Sequence, residues 1–341
     1  MIKVGSDFSG VGAFDQALIR LGINYETVFA CDMDKYARQT FIHNYGELKY
    51  YPENVYNREI PSDSLDIYMT SPPCQAFSFA GKRLGKNDKR GILFFNSHEF
   101  IQVNKPRYFI FENVKGLLSD DNGKTFQEWV NYLGGKSVNG APIIFPYENS
   151  VPYHLYWKVL NAKHFGVPQN RERVFLIGIR DDADNNFQFP KEFHLIKRLK
   201  DVLEHKVDEK YFLSEKMINC LVNHKSDKFK INTPIINETD ISRTLRTEMA
   251  KMGRQIWIAD YRNDEGLRIR KDNISPCIIS TMAPIIGYDY KIRRLTPREC
   301  FRLMDFPDSF SWLCSDSQAY KQAGNSIVVN VLYKIIKNLP L

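Results

Sequence analysis

Over its first 180 residues the chain alternates short strand-like runs with helix-like patterns, and then the alternation stops. Ile2 to Ser6 reads as a strand. Phe14, Ala17, Leu18 and Leu21 follow at i, i+3, i+4 and i+7, one face of a helix. Thr27 to Cys31 reads as a second strand, followed by a helix near Lys35 to His43. Leu65 to Thr70 is a third strand, stopped by Pro72 and Pro73. A helical stretch from Leu93 to Val103 leads to the apolar run Tyr108-Phe109-Ile110-Phe111, and Arg173 to Arg180 is a further strand. Strands separated by helices predict an α/β fold, a mostly parallel sheet with helices on both faces.

From Asp181 the pattern breaks down. Residues 181–290 are polar, rich in Asn and Lys, and lack clear alternation. They read as a separate, smaller domain, irregular or β-rich. After about Ile292 helices return. Thr296-Pro297-Arg298-Glu299 has the form of a helix start, with Thr as N-cap, Pro at the first position and an acid in the first turn. Val328, Val331, Leu332 and Ile335 make an amphipathic last helix. The segment Gln322-Ala323-Gly324-Asn325-Ser326 is expected to open it, with Asn325 or Ser326 as cap. The expected division is 1–183, 184–290 and 291–341, the last segment returning to the first domain. A chain of 341 residues accommodates this at roughly 100–200 residues per domain.

Composition narrows the functional classes. Hydrophobic residues make up 43% and charged residues 26%, so the chain as a whole is neither disordered nor collagen-like. No run of about 18 apolar residues predicts a membrane span, and no secretory signal follows Met1. Six cysteines with no C-x-x-C pair argue against a zinc ribbon or redox motif, and no metal is expected. A reduced, cytoplasmic protein follows. The net charge of +7 fits nucleic-acid binding without requiring it. Basic residues gather in 82–90, five against one acid, and in 268–302, eight against three. Either run alone is equally a solvated face.

Several segments carry chemistry. Asp7-Phe8-Ser9-Gly10-Val11-Gly12 lies between the first strand and first helix, where glycines let backbone approach a ligand. Asp32 follows the second strand, where an acid accepts hydrogen bonds from ribose hydroxyls. The pairing suits NAD and S-adenosylmethionine alike, but Asp15 stands where a dinucleotide fingerprint has its third Gly. An ordinary glycine turn accounts for the segment equally well. Ser71-Pro72-Pro73-Cys74-Gln75 follows the third strand and brings a thiol to the carboxyl end of the sheet. Cysteine is commonly a small buried hydrophobe. Here the Pro pair stiffens its approach, and nearby positive charge favours the thiolate. Glu112 ends an apolar strand, so burial should raise its pKa and suit it to donate a proton. Arg171 and Arg173 share a face if their segment is extended, and could hold a carbonyl oxygen, carboxylate or phosphate.

Taken in order, DFSGVGAF, CDMD, PPCQ, ENV, QNRER, LTPREC and QAGNS resemble the C5-cytosine methyltransferase family of the bacterial restriction–modification type. The match spans most of the chain and omits about 181–290, where that family carries its variable target-recognition region. The resemblance implies an S-adenosylmethionine-dependent, Rossmann-like catalytic domain in 1–183 and target recognition in 184–290. Phe8, Gly10, Gly12, Asp32, Met33, Asn54, Val55, Leu93, Asn325 and Ser326 would line the cofactor, leaving S-adenosylhomocysteine as product. Cys74 would be the nucleophile, Glu112 would meet the cytosine N3 and amino group, Arg173 its O2, and Arg171 would support the closed active-site loop. Gln75, Lys82, Arg83, Lys86 and Lys89 would touch nucleic acid, the last four from a glycine-bearing lid at 78–92.

The implied substrate is a cytosine flipped out of double-stranded DNA. The implied setting is a monomeric, bacterial or phage-encoded, nucleoid-associated enzyme, with a cognate restriction endonuclease as possible companion. Pro72 stands where the bacterial enzymes commonly have Phe. The same Pro-Pro-Cys occurs in the branch that methylates transfer RNA, so an RNA cytosine methyltransferase is the alternative. A non-catalytic cofactor-binding subunit leaves the filled catalytic positions unexplained. A NAD-dependent oxidoreductase leaves PPCQ and ENV unexplained.

Overall fold

The computed structural model describes residues 1–73, 92–183, 186–214, 257–262, 266–270, 274–275, 278, 285–288 and 291–341. The first part runs β1 (Ile2–Asp7), α1 (Ala13–Leu21), β2 (Tyr25–Cys31), α2 (Lys35–Tyr45), β3 (Ile67–Thr70), α3 (Ile92–Asn104) and β4 (Tyr108–Val114). It continues through α4 (Lys124–Leu133), β5 (Ser137–Val138), β6 (Ala141–Pro142), β7 (Tyr153–Asn161) and β8 (Glu172–Arg180). These eight strands form one sheet in the order β2-β1-β3-β4-β8-β7-β5-β6.

Strands β2, β1, β3 and β4 are parallel, and β8 runs against both β4 and β7. The expected mostly parallel sheet is thus present, with β8 reversed inside it. The reversal matters for the site. Carboxyl ends of the parallel strands and the amino end of β8 share one edge, where Val114 pairs with Arg173.

Alternating side chains of β4 divide the interior. Tyr108 and Ile110 join a core with α1, Phe301 and the last helix. Phe109 and Phe111 join a second core with Phe94, Phe100, Phe126 and Trp129. Helices therefore cover both faces, as period two requires of a sheet buried on both sides.

Four further strands, β9 (Trp257–Arg262), β10 (Gly266–Arg270), β11 (Ile285–Tyr288) and β12 (Lys291–Arg294), form an antiparallel sheet in the order β10-β9-β11-β12. Then come α5 (Pro297–Leu303), α6 (Asp316–Asn325) and α7 (Val329–Lys337). The helix start read at Thr296 is observed with its full capping box: Thr296 Oγ1 accepts from the Glu299 amide, and the Glu299 carboxylate accepts from the Thr296 amide. Arg293 donates both terminal nitrogens to Glu299 at 2.6 and 2.7 Å. Part of the basic run at 268–302 is therefore internal structure.

The QAGNS segment does not open the last helix. It closes α6, where the Ser326 amide donates to the Gln322 and Ala323 carbonyls, and α7 begins at Val329. Ala319, Gln322 and Ala323 are buried at helical spacing, so the register starting at Asp316 continues through Gly324. Residues beyond 183 also reach the first core, since Phe187, Leu195, Leu199 and Val202 are buried and the first, third and fourth belong to it.

Candidate active site

The cofactor-type loop is built from left-handed residues. Phe8, Gly10 and Gly12 have φ of 57°, 55° and 82°. Gly10 needs its freedom to turn the chain, and the space where its Cβ would stand is open. Gly12 is doubly constrained, because a Cβ there would lie 2.2 Å from the Tyr45 ring. A non-glycine residue at the Phe8 angle costs about 1–3 kcal/mol and persists only when its surroundings hold it. Asp32 answers this loop from the end of β2. One of its oxygens accepts from the Gly10 amide and the other from the Asp34 amide, each at 2.8 Å. Burial raises its pKa above the ordinary carboxylate value, opposed by those two amides.

The other expected cofactor residues lie around this loop in different ways. Met33 is 87% exposed beside Asp32. Asn54 is exposed, and its Oδ1 accepts from the Tyr56 amide in a local turn. Val55 is buried in the second core, and Leu93 packs against it. Asn325 is exposed at the end of α6, and Ser326 is buried. Ser9, not singled out in sequence, meets Tyr51 through paired hydroxyls at 3.1 Å.

Glu112 and Arg173 come together across the β4–β8 pair. Arg173 Nε lies 3.0 Å from Glu112 Oε1, and Glu112 is 7% exposed. Burial pushes the Glu112 pKa up, while Arg173 and then Arg171 oppose the rise. The next residue, Asn113, donates Nδ2 to the Pro72 carbonyl at 3.0 Å. That buried bond ties the strand carrying Glu112 to the chain two residues before Cys74. Cys74, Gln75, Lys82, Arg83, Lys86 and Lys89 themselves lie outside the described residues.

Of the three partners that sequence left open for them, Arg171 and Arg173 take one kind each. Arg173 meets a carboxylate. Arg171 is 4% exposed, lies just before β8, and donates to the carbonyls of Ile278, Gly324 and Ser326 at 2.7–3.0 Å. Gln169 completes this knot: its amide accepts from Ile278 N and donates to the Leu303 carbonyl. Among the described residues no cluster of His, Cys, Asp or Glu could hold a metal ion. No described helix is long and apolar enough to cross a membrane.

Sequence reasoning missed one ionic group here. Asp7, read only as the start of the glycine loop, pairs with Arg58 in a site where both side chains are at most 2% exposed. The strand Ile2–Asp7 also carries Lys3 and Ser6, so nothing in its pattern singles out Asp7 as half of a buried ion pair.

Comparison with known proteins bears on this geometry. The profile of the C-5 cytosine-specific DNA methylase family matches residues 2–340. The type II methyltransferase M.HhaI of Haemophilus parahaemolyticus is 36% identical, covering 97% of this chain and 92% of the relative. The orphan methyltransferase M.SPRI of Bacillus phage SPR is 31% identical over 99% of this chain and 97% of its own. A crystal structure of a putative DNA modification methyltransferase from an Escherichia coli prophage superposes with a TM-score of 0.65. It is 20% identical and covers 99% of this chain and 98% of that one, a likeness of fold.

Proposed function

Because the chain belongs to the C-5 cytosine-specific DNA methylase family and is a DNA (cytosine-5-)-methyltransferase, we propose that Cys74, Glu112 and Arg173 carry the reaction and that S-adenosylmethionine is its methyl donor. The observation that supports this most is the buried edge where Glu112 meets Arg173 while Asn113 holds Pro72. A carboxyl, a cation and the residues leading to Cys74 adjoin there, which supports the roles proposed for them.

Cytosine C5 is a weak nucleophile. The Cys74 thiolate adds to C6, and the C5–C6 double bond becomes an enamine-like system nucleophilic at C5. Glu112 donates at N3 as this charge develops, and its raised pKa keeps a proton available. Arg173 stabilises charge at O2. Bound S-adenosylmethionine supplies an electrophilic methyl group. Loss of the C5 proton to solvent, return of the N3 proton to Glu112 and departure of the Cys74 sulfur as thiolate then restore the ring as 5-methylcytosine.

The residues at the glycine loop fit such a donor. Asp32 is half-buried and faces the loop, Gly10 leaves open space, and Phe8 supplies an apolar ring. Met33, Asn54, Val55, Leu93, Asn325 and Ser326 complete the proposed pocket, with Gly12 fixing the turn. Residues 184–290 form the proposed target-recognition domain on the catalytic domain 1–183, which 291–341 completes. The target cytosine leaves the duplex at a cost of a few kcal/mol. Gln75, Lys82, Arg83, Lys86 and Lys89 are proposed to contact that DNA, and Arg171 to hold the site's frame. A monomer acting in the cytoplasm, alongside an endonuclease of the same target, fits this reading.

The test is transfer of a labelled methyl group from S-adenosylmethionine, offering unmethylated genomic DNA and transfer RNA in parallel, with Cys74→Ser as control. Label in DNA that disappears in the control is expected. Label confined to RNA would keep the chemistry and replace the substrate.

A further inference from the structure

One buried cation joins three of the five segments that the cofactor reading uses. The Arg58 Nε lies 2.8 and 2.9 Å from the two carboxylate oxygens of Asp7, and a terminal nitrogen lies 2.7 Å from Asp7 Oδ2. Tyr68 donates its hydroxyl to the same carboxylate at 2.5 Å. The guanidinium makes two further contacts, both to α3, one of them through the Nη2 that also meets Asp7. Its Nη2 donates to the Asn96 carbonyl of α3 at 3.0 Å, and its plane sits over the Phe100 ring, 4.6 Å from the centroid.

Each contact reaches a different part of the proposed pocket. Asp7 directly precedes Phe8, the strained start of the glycine loop. Arg58 directly follows the turn at Asn54 and Val55, which Asn57 closes by donating its amide to the Asn54 carbonyl at 3.3 Å. Asn96 lies three residues beyond Leu93 on α3. A buried ion pair is seldom more stable than well-packed apolar side chains of the same size, because both charges must leave water. What it supplies is direction: a planar fork fixes the carboxylate in two dimensions.

We propose that Arg58 is a positioning residue of the cofactor pocket, its guanidinium locking the Phe8–Gly12 loop, the Asn54–Val55 turn and the Leu93 end of α3 into one frame. The proposal rests on the reading of these segments as the S-adenosylmethionine site. Arg58 touches no reacting atom, so its loss acts on cofactor capture and leaves methyl transfer by the loaded enzyme intact.

The experiment compares the full-length wild type, Arg58→Met, Arg58→Lys and the double variant Asp7→Leu/Arg58→Met. Calorimetric binding of S-adenosylhomocysteine is measured beside steady-state kinetics and thermal melting. Arg58→Met is expected to raise the KM for S-adenosylmethionine about tenfold or more, with kcat at saturating cofactor within about threefold of wild type. Arg58→Lys keeps the charge without the fork and should recover part of the affinity. If Arg58→Met fails to fold because Asp7 is left unpaired, the double variant removes both charges. It should regain most of the melting temperature and still bind S-adenosylhomocysteine about tenfold more weakly. A double variant that binds as tightly as wild type would overturn the proposal alone, as would a fall in kcat with cofactor affinity unchanged. A wild type that binds no S-adenosylhomocysteine would overturn the cofactor reading and this proposal with it.

Discussion

At Glu112 the burial of one carboxyl beside the Arg173 guanidinium makes its proton the variable on which activity turns. Glu112→Gln is expected to lower kcat about 10²–10⁴-fold in the methyl-transfer assay, with the KM for S-adenosylmethionine unchanged. Arg173→Met withdraws the cation that most opposes the raised pKa. The carboxyl should then keep its proton to higher pH, so the alkaline limb of the kcat profile moves up while its maximum falls. A limb that stays in place would belong to another group. Asp15 offers a second titration, away from the chemistry. Burial pushes its pKa up to about 7, with Thr27 Oγ1 donating to it at 2.9 Å. Between about pH 4 and 7 the folded chain holds a proton that the unfolded chain has released, so stability falls as pH rises through that window. Asp15→Asn lacks this slope. In urea melts it should gain on the wild type as pH climbs, by on the order of 4 kcal/mol at pH 8, and match it near pH 4. Glu112 and Asp32 were legible in the sequence because each ends an apolar strand at the edge where ligands bind. Arg58 was not, since its partner lies 51 positions away and nothing local marks the pairing.

Among the elements, β8 shows what tight pairing demands. Gly178 faces Phe109 across the β4–β8 ladder, and a Cβ there would stand 2.0 Å from the ring. Gly178→Ala should therefore destabilise the fold by about 3 kcal/mol, and Phe109→Leu in the same chain should restore part of the loss, read as coupling in a double-mutant cycle. Strand existence was largely legible, because β1 to β4 and β8 are short apolar runs bounded by turns. Strand direction was not. Reversal of β8 follows from its pairing with β4 and β7, and β7 itself is missing from the sequence reading. Trp157 and Lys158 interrupt its apolar alternation, so it lacks the compact run that marked the others. The last helix was legible as an apolar pattern, but its start was not, and α6 before it went unread. Asn325 and Ser326 can cap a start or follow an end, and the buried face of Ala319, Gln322 and Ala323 decides for an end.

Across the whole molecule the surplus of positive charge should appear as salt dependence. Neutralising Lys82, Arg83, Lys86 and Lys89 together is expected to weaken DNA binding and flatten the log K against log salt slope by up to about 3.6, at roughly 0.9 per lost phosphate contact. An unchanged slope would remove these residues from the DNA interface. The two cores also differ in where their residues come from. Among the described residues, the buried side chains of the core holding Phe109 and Phe111 all lie within 29–176. The opposite core needs Phe301, Leu332 and Leu339 as well as Val4 and Leu18. On a ribosome the first face can therefore close early, while its twin stays bare until the last helix emerges. At roughly 5–20 residues per second, the 163 positions from 176 to 339 take on the order of 10–30 s to synthesise. For that interval the nascent chain carries a half-finished sheet, one face closed and the other still an uncovered apolar surface.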